Sequence, residues 1–254
     1  MAVVARPFPY YTIELEVPEA YAAAEPGHFV MIETRRGLEP YLRRAFSVHD
    51  VSRAAEGVRI ELLAKIVGRG TAALAAARPG DRLAILGPLG RPFGRPEAGP
   101  IALVAGGVGS APLLLDARRL LERNVRFDLF YGGRGAVDLP RLDELGALAE
   151  RSGGVVVATT EDGSAGTRGL VTEPLAARLA NERYEALHAC GPMGLLARLA
   201  TLAAEHGVPA EGALETEMGC GFGACLGCAV PHVEGRYALC CKDGPVFALD
   251  EVRW

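Results

Sequence analysis

Cys220, Cys225 and Cys228 stand in a C-x4-C-x2-C spacing within MGCGFGACLGC (218–228), and the adjacent pair Cys240 and Cys241 follows just before KDGPVF. Thiolates so spaced on a glycine-rich loop suit a plant-type [2Fe–2S] cluster, with three ligands wrapping one side and the fourth arriving from a separate segment. Gly219, Gly221, Gly223 and Gly227 serve the same end. A backbone that folds around a cluster needs positive φ and close approach of its N–H groups. The chemistry predicted is one-electron transfer.

Structural zinc and disulfides are the competing uses of such cysteines. Zinc sites favour two C-x2-C-like pairs, whereas the gaps here are four, two and twelve residues. Disulfides call for an oxidising compartment; no secretory segment is read at the N-terminus, and a cytoplasmic protein is expected. Cys240 and Cys241 both remain candidates for the fourth ligand. On an extended strand neighbouring side chains point to opposite faces, so only one can easily face the cluster. None of His28, His49, His188, His206 and His232 has metal-like spacing to another, and all read as structural or surface residues. His232, near the loop, would be a marginal substitute ligand.

The elements that must position this loop fall into two patterns. TIELEV (12–17), HFVMIET after Pro26-Gly27, FSVHDV, VRIELLAKIV and DRLAILG are short strands separated by turns, which predicts a closed or nearly closed antiparallel β barrel. RPFGRPEAGP (91–100) interrupts the chain with Pro and Gly and places a domain boundary there. From Ile101 strands and helices alternate: IALVA, a helix over 111–123, VRFDLFY, a helix over 139–151, GVVVATT, a helix over 171–180, EALHAC and a helix over 193–206. This predicts an α/β, Rossmann-like parallel-sheet nucleotide domain with a crevice at the carboxyl ends of its strands. The expected division is a barrel over 1–97, the α/β domain over 98–210 and a small [2Fe–2S] module over 211–254.

Two barrel patches have diphosphate-binding chemistry. Arg44-Ala45-Phe46-Ser47 sets an arginine and a hydroxyl three residues apart, and Gly68-Arg69-Gly70-Thr71 leads into the helix-like TAALAAA. Taken alone, Arg43 and Arg44 are more often a solvated charged pair, and G-x-G-T an ordinary turn and N-cap. The sheet's first strand ends in Gly106-Gly107-Val108-Gly109-Ser110-Ala111-Pro112, where a dinucleotide would meet a helix N-terminus, although the spacing departs from G-x-G-x-x-G. Cys190-Gly191-Pro192-Met193 ends another strand at the same edge.

With R-x-x-S, G-x-G-T, GGVGSAP and CGPM in this order, the chain resembles the ferredoxin reductase superfamily of flavoproteins. The GCGFGACLGC and CKDGPVF runs, with TTEDGSAGTRGLVT (159–172), narrow the resemblance to electron-transfer subunits of NAD-dependent, class 1B dihydroorotate dehydrogenases. Ala45 departs from that pattern, which usually has Pro. The resemblance implies FAD between barrel and sheet, its phosphates held by Arg44, Ser47, Gly70 and Thr71, with Ala45, Phe46, Leu63, Ala64 and Lys65 lining it. It implies NAD along Gly107, Val108, Gly109 and Ser110 and near Cys190, and a cluster on Cys220, Cys225, Cys228 and Cys241, with Cys240 turned away. The implied partner is a catalytic subunit that carries FMN and oxidises dihydroorotate to orotate in pyrimidine biosynthesis, the two forming a heterotetramer. A related expectation is an NAD(P)H reductase subunit of a hydrogenase or ferredoxin-linked complex. No side-chain general acid or base is required.

The chain is 254 residues, half of them hydrophobic, with a net charge of −4. It is long enough for two modest domains and an appendage, it lacks a basic footprint for nucleic acid, and its apolar runs are too short or too interrupted to cross a bilayer. It contains no Gln, only Asn124 and Asn181, and only Lys65 and Lys242 as lysines, a composition that fits heat adaptation, with a GC-rich genome an equal source of the arginine bias.

Overall fold

The computed structural model describes residues 2–5, 7–34, 41–54 and 57–254. Strands β1 (Ala2–Ala5), β2 (Tyr10–Val17), β3 (Phe29–Ile32), β4 (Arg44–Ser47), β5 (Asp50–Ala54) and β6 (Gly57–Lys65) come first, then helix α1 (Arg69–Ala75) and β7 (Ile85–Leu89). They make two antiparallel sheets, in the orders β1-β2-β6-β5 and β4-β3-β7. The chain crosses from one sheet to the other at Val48-His49. Ile13, Leu15, Val30, Ile32, Phe46, Ile60 and Leu62 fill the space between the sheets, which gives the barrel-like unit expected from the alternation of apolar and polar residues.

Next come β8 (Ile101–Gly106), α2 (Leu113–Glu122), β9 (Phe127–Gly133), α3 (Leu142–Arg151), β10 (Val156–Thr160), β11 (Thr167–Arg168), α4 (Thr172–Leu179), β12 (Ala186–Cys190) and α5 (Met193–His206). The remaining elements are β13 (Ala210–Ala213), β14 (Ala229–Pro231), β15 (Tyr237–Leu239), α6 (Cys240–Asp243) and β16 (Val246–Ala248). The sheet order is β11-β10-β9-β8-β12-β13-β16, parallel except where β16 meets β13. The β8 run is apolar throughout because both faces are covered. Ile101, Leu103 and Ala105 pack under α2 and α3, and Ala102 and Val104 under α4 and α5.

The segment expected as a separate module is tied into this sheet. β13 straddles position 210/211 and β16 adds an edge strand, while Cys228, Val230, Cys241 and Phe247 share the α4/α5 core. The Pro/Gly linker is fixed by carboxylates. Glu185 accepts hydrogen bonds from the N–H groups of Glu97, Ala98 and Gly99 at 2.9, 3.1 and 2.5 Å, and Glu211 accepts one from Gly94 at 2.7 Å. Ion pairs join barrel to sheet: Asp50 with Arg118 at 3.2 Å and Glu61 with Arg141 at 2.5 Å. Among the described residues no helix is long and apolar enough to cross a membrane.

Candidate functional site

The two diphosphate-type patches of the barrel meet in space. A Cβ on Gly70 would lie 2.8 Å from Arg44 Nε, so the guanidinium rests on the helix turn. Arg44 Nη1 also donates to the Leu42 carbonyl and, at 3.2 Å, to that of Arg43. The Thr71 hydroxyl is engaged by its own turn, accepting from the N–H groups of Val67 and Gly68 at 2.9 and 3.1 Å. A groove of about 250 Å³ runs from here to the sheet, lined by Ala45, Phe46, Ser47, Leu63, Ala64, Lys65 and Thr71 on the barrel side. Val108, Cys190, Leu214, Glu215, Thr216 and Met218 line it on the other. Burial pushes the Cys190 thiol well above its ordinary pKa, so it stays neutral.

The second cavity, about 610 Å³, opens where strand order reverses between β8 and β12, the place where open α/β sheets bind ligands. Gly106, Gly107 and Val108 form one lip and Gly191 and Pro192 the other. Gly107 has φ 58° and nothing within 4 Å of a built Cβ, so its backbone faces the open crevice. Gly109 and Ser110 are turned inward: a Cβ on Gly109 would lie 2.2 Å from the Cys190 carbonyl oxygen, and Ser110 is fully buried. Arg134, Thr159 and Glu161 line the far wall. The buried Thr159 hydroxyl has no hydrogen-bond partner among the described residues. Glu215 is open to the crevice but hemmed in by protein on its other sides, and that desolvation raises its pKa.

The cysteine loop lies against the barrel. A Cβ on Gly221 (φ 84°) would strike Met31 Cγ at 2.4 Å, which fixes both the glycine and the seat of the loop. Two of the thiols meet directly and a third is held by backbone N–H groups. Cys228 and Cys241 Sγ are 3.3 Å apart, and Cys220 Sγ accepts from the N–H groups of Ala224 and Cys225 at 3.3 and 3.5 Å. Gly223 N–H donates to Cys241 Sγ at 3.1 Å. Backbone N–H groups, that of Phe222 foremost, push the Cys220 thiol down to about 6, and burial pushes Cys241 up to about 12. Backbone N–H donors to sulfur suit cluster thiolates, and the buried Cys228–Cys241 pair needs a cation to carry thiolate charge there, while among the described residues no three ligating side chains are gathered around a single metal position. The adjacent Cys240 and Cys241 open a helical turn rather than lying on a strand as the sequence suggested, because Asp243 Oδ2 accepts the Leu239 N–H at 2.7 Å and closes that turn. Their side chains still diverge, and Cys240 Sγ points at the Leu214 carbonyl, 3.4 Å away.

A barrel with a groove facing the sheet, a sheet with a switch-point crevice and a cysteine loop seated on the barrel are the parts of an oxidoreductase of the ferredoxin reductase type. Residues 103–200 match the oxidoreductase NAD-binding domain family, and residues 215–253 match the iron-sulfur cluster binding domain of dihydroorotate dehydrogenase B. A dihydroorotate dehydrogenase B (NAD(+)) electron transfer subunit from Desulforamulus reducens is 37% identical over 96% of this chain and 92% of its own. A homolog of that subunit from Aquifex aeolicus is 35% identical, covering 95% and 92%. A solved NADH-dependent reduced ferredoxin–NADP oxidoreductase, studied for flavin-based electron bifurcation, superposes with a TM-score of 0.87 at 30% identity, covering 99% of this chain and 88% of that one. The chain belongs to the family of dihydroorotate dehydrogenase B (NAD(+)) electron transfer subunits.

Proposed function

We propose that this protein receives electrons from a catalytic subunit that oxidises dihydroorotate in pyrimidine biosynthesis and delivers them to NAD. A [2Fe–2S] cluster on Cys220, Cys225, Cys228 and Cys241 and FAD in the barrel-side groove form the route. The catalytic subunit carries FMN and the assembly is a heterotetramer. The working division is 1–97 for FAD, 98–210 for NAD and 211–254 for the cluster. The observation that carries the reading is continuity: Lys65, Val108 and Glu215 line both cavities, and Met218, two residues before Cys220, lines the groove. FAD, when bound, exchanges electrons in pairs with nicotinamide and singly with a cluster. The chain's own part is to hold a cation, Arg44, over Gly70 next to Thr71 of the groove wall, to offer backbone at Gly107, and to aim N–H groups at the sulfurs.

Co-expression with a catalytic dihydroorotate dehydrogenase subunit and a dihydroorotate–NAD assay test this. The purified chain is expected to show flavin and cluster absorption and to gain dihydroorotate activity only with its partner. A colourless, zinc-containing protein would overturn the cofactor reading. A second reading is favoured by the 30% identity to the ferredoxin-linked oxidoreductase over 99% of this chain: the same scaffold would serve as the NAD(P)H-reacting subunit of a ferredoxin-linked complex. Electron transfer to ferredoxin without any dihydroorotate activity would select it.

A further inference from the structure

Lys65 and Asp138 come from different halves of the molecule and meet where the two cavities join. Lys65 closes β6 of the barrel and lines both the groove and the crevice. Asp138 follows β9 of the sheet and lines the crevice. Lys65 Nζ donates to Asp138 Oδ1 at 2.9 Å, and the hydroxyl of Tyr10, itself buried, donates to the same oxygen at 2.5 Å. The ammonium lies 5.1 Å from the centre of the Tyr10 ring. Asp138 is pressed against the end of β9, since a Cβ on Gly133 would come within 3.0 Å of its own Cβ. Lys65 is thus held by two partners, the Asp138 carboxylate and the Tyr10 ring, although its side chain is still partly exposed.

We propose that Asp138 is a positioning residue that fixes the Lys65 ammonium beside the flavin and offsets part of its charge, so that the pair sets the flavin's reduction potential. This rests on the FAD reading above. Hydride transfer from NADH breaks a C–H bond of the dihydronicotinamide and forms an N–H bond on the flavin. Two electrons and one proton move together, NAD+ is left in the crevice, and the flavin ring gains one negative charge. A cation held beside the ring favours that charge, and a carboxylate beside the cation opposes it. Arg134 also lines the crevice and acts electrostatically on Asp138, whose charge therefore tempers two positive groups.

The two variants therefore have opposite expected effects. Asp138→Asn keeps the size of the side chain and removes the negative charge, and the flavin midpoint potential should move positive. Lys65→Met leaves Asp138 unopposed on that side, and the potential should move negative. Asp138→Glu should return it toward the wild-type value. Potentials are measured by spectroelectrochemical titration of the flavin bands in the purified holoprotein, with FAD content determined on the same samples. Lack of FAD in the wild-type protein would defeat the FAD reading itself. Wild-type and variants that all hold FAD, with shifts that are absent or of the same sign, would overturn the role proposed for Asp138 and leave that reading standing. A lowered melting temperature with unchanged potential would show that the pair only fastens barrel to sheet.

Discussion

Cys228 and Cys241 place their sulfurs 3.3 Å apart, while Cys240, one residue away, aims its thiol at the Leu214 carbonyl on the opposite side of the chain. Replacing Cys240 with Ser should leave the iron content near that of wild type, because a hydroxyl can still donate to Leu214. Replacing Cys241 with Ser should remove most of the iron and bleach the cluster bands. Iron analysis and the visible spectrum of the two variants decide it, and equal iron in both would sink the assignment of Cys241 as fourth ligand.

Glu161 reaches the crevice beside Arg134. Its N–H donates to the Gly133 carbonyl at 3.1 Å, which sets the end of β10 against the end of β9. A carboxylate there repels a 2′-phosphate and can accept hydrogen bonds from a ribose diol, which favours NAD over NADP despite the arginine. Glu161→Gln should improve catalytic efficiency with NADPH relative to NADH by roughly tenfold or more, since a like-charge contact costs at least about 1.4 kcal/mol. Arg134→Ala should not. Unchanged preference in the Glu161 variant would place the selecting group elsewhere.

Much of this was legible in the sequence because periodicity reports burial. The two-residue alternation of TIELEV and the apolar run IALVA each have one structural solution, and β2 and β8 fall where those patterns lie. The thiol spacing carried its chemistry openly. Less legible were elements whose partners are distant. β13 and β16 are four and three residues long and are strands only because they extend a sheet begun more than a hundred positions earlier. Arg44 over Gly70, Glu161 beside Arg134 and Lys65 on Asp138 are long-range pairings that no local spacing encodes. The one available signal for Glu161 was its place just past a strand end, in TTED. The inward turn of Gly109 and Ser110 was hidden too, since it is set by packing against Cys190.

Glu185 ties the interdomain linker to the sheet, and its three backbone donors, Gly99 foremost, hold its carboxyl below the ordinary value of 4.5. Because its folded pKa is depressed, its contribution to stability is fully present above 4.5 and is lost as pH falls through the lower folded value. Thermal melts of wild type should drop over that acid window. Glu185→Gln should melt lower than wild type at neutral pH and show a shallower acid decline, the two curves converging as the wild-type carboxylate protonates. Parallel curves would mean that the linker contacts do not depend on that charge.

The last prediction concerns the surface through which electrons enter. Single-electron transfer needs a short path, so a cluster that takes electrons from another protein must lie close to that protein. Here the loop is open to solvent: Phe222 is 60% exposed and Leu226 62%, on either side of the exposed Cys225. No charged residue occurs from Gly219 to Pro231, and Tyr237 adds a third exposed apolar side chain from β15. An apolar patch beside a redox centre, with the exposed Lys242 against Gly223 at its edge, has the make-up of an interface with an apolar core and a charged rim. Leu226 is held in the left-handed region at φ 59°, a conformation unfavourable for a branched side chain, and it is kept on the outside rather than folded under. Phe222→Glu should weaken association with the catalytic subunit by tenfold or more, roughly the effect of losing an aromatic anchor. NADH oxidation with a small artificial acceptor should stay near normal, because the groove and crevice are untouched. Co-purification and a binding titration read the first effect and a dye-reduction assay the second. Undiminished complex formation would move the interface to another face of the molecule.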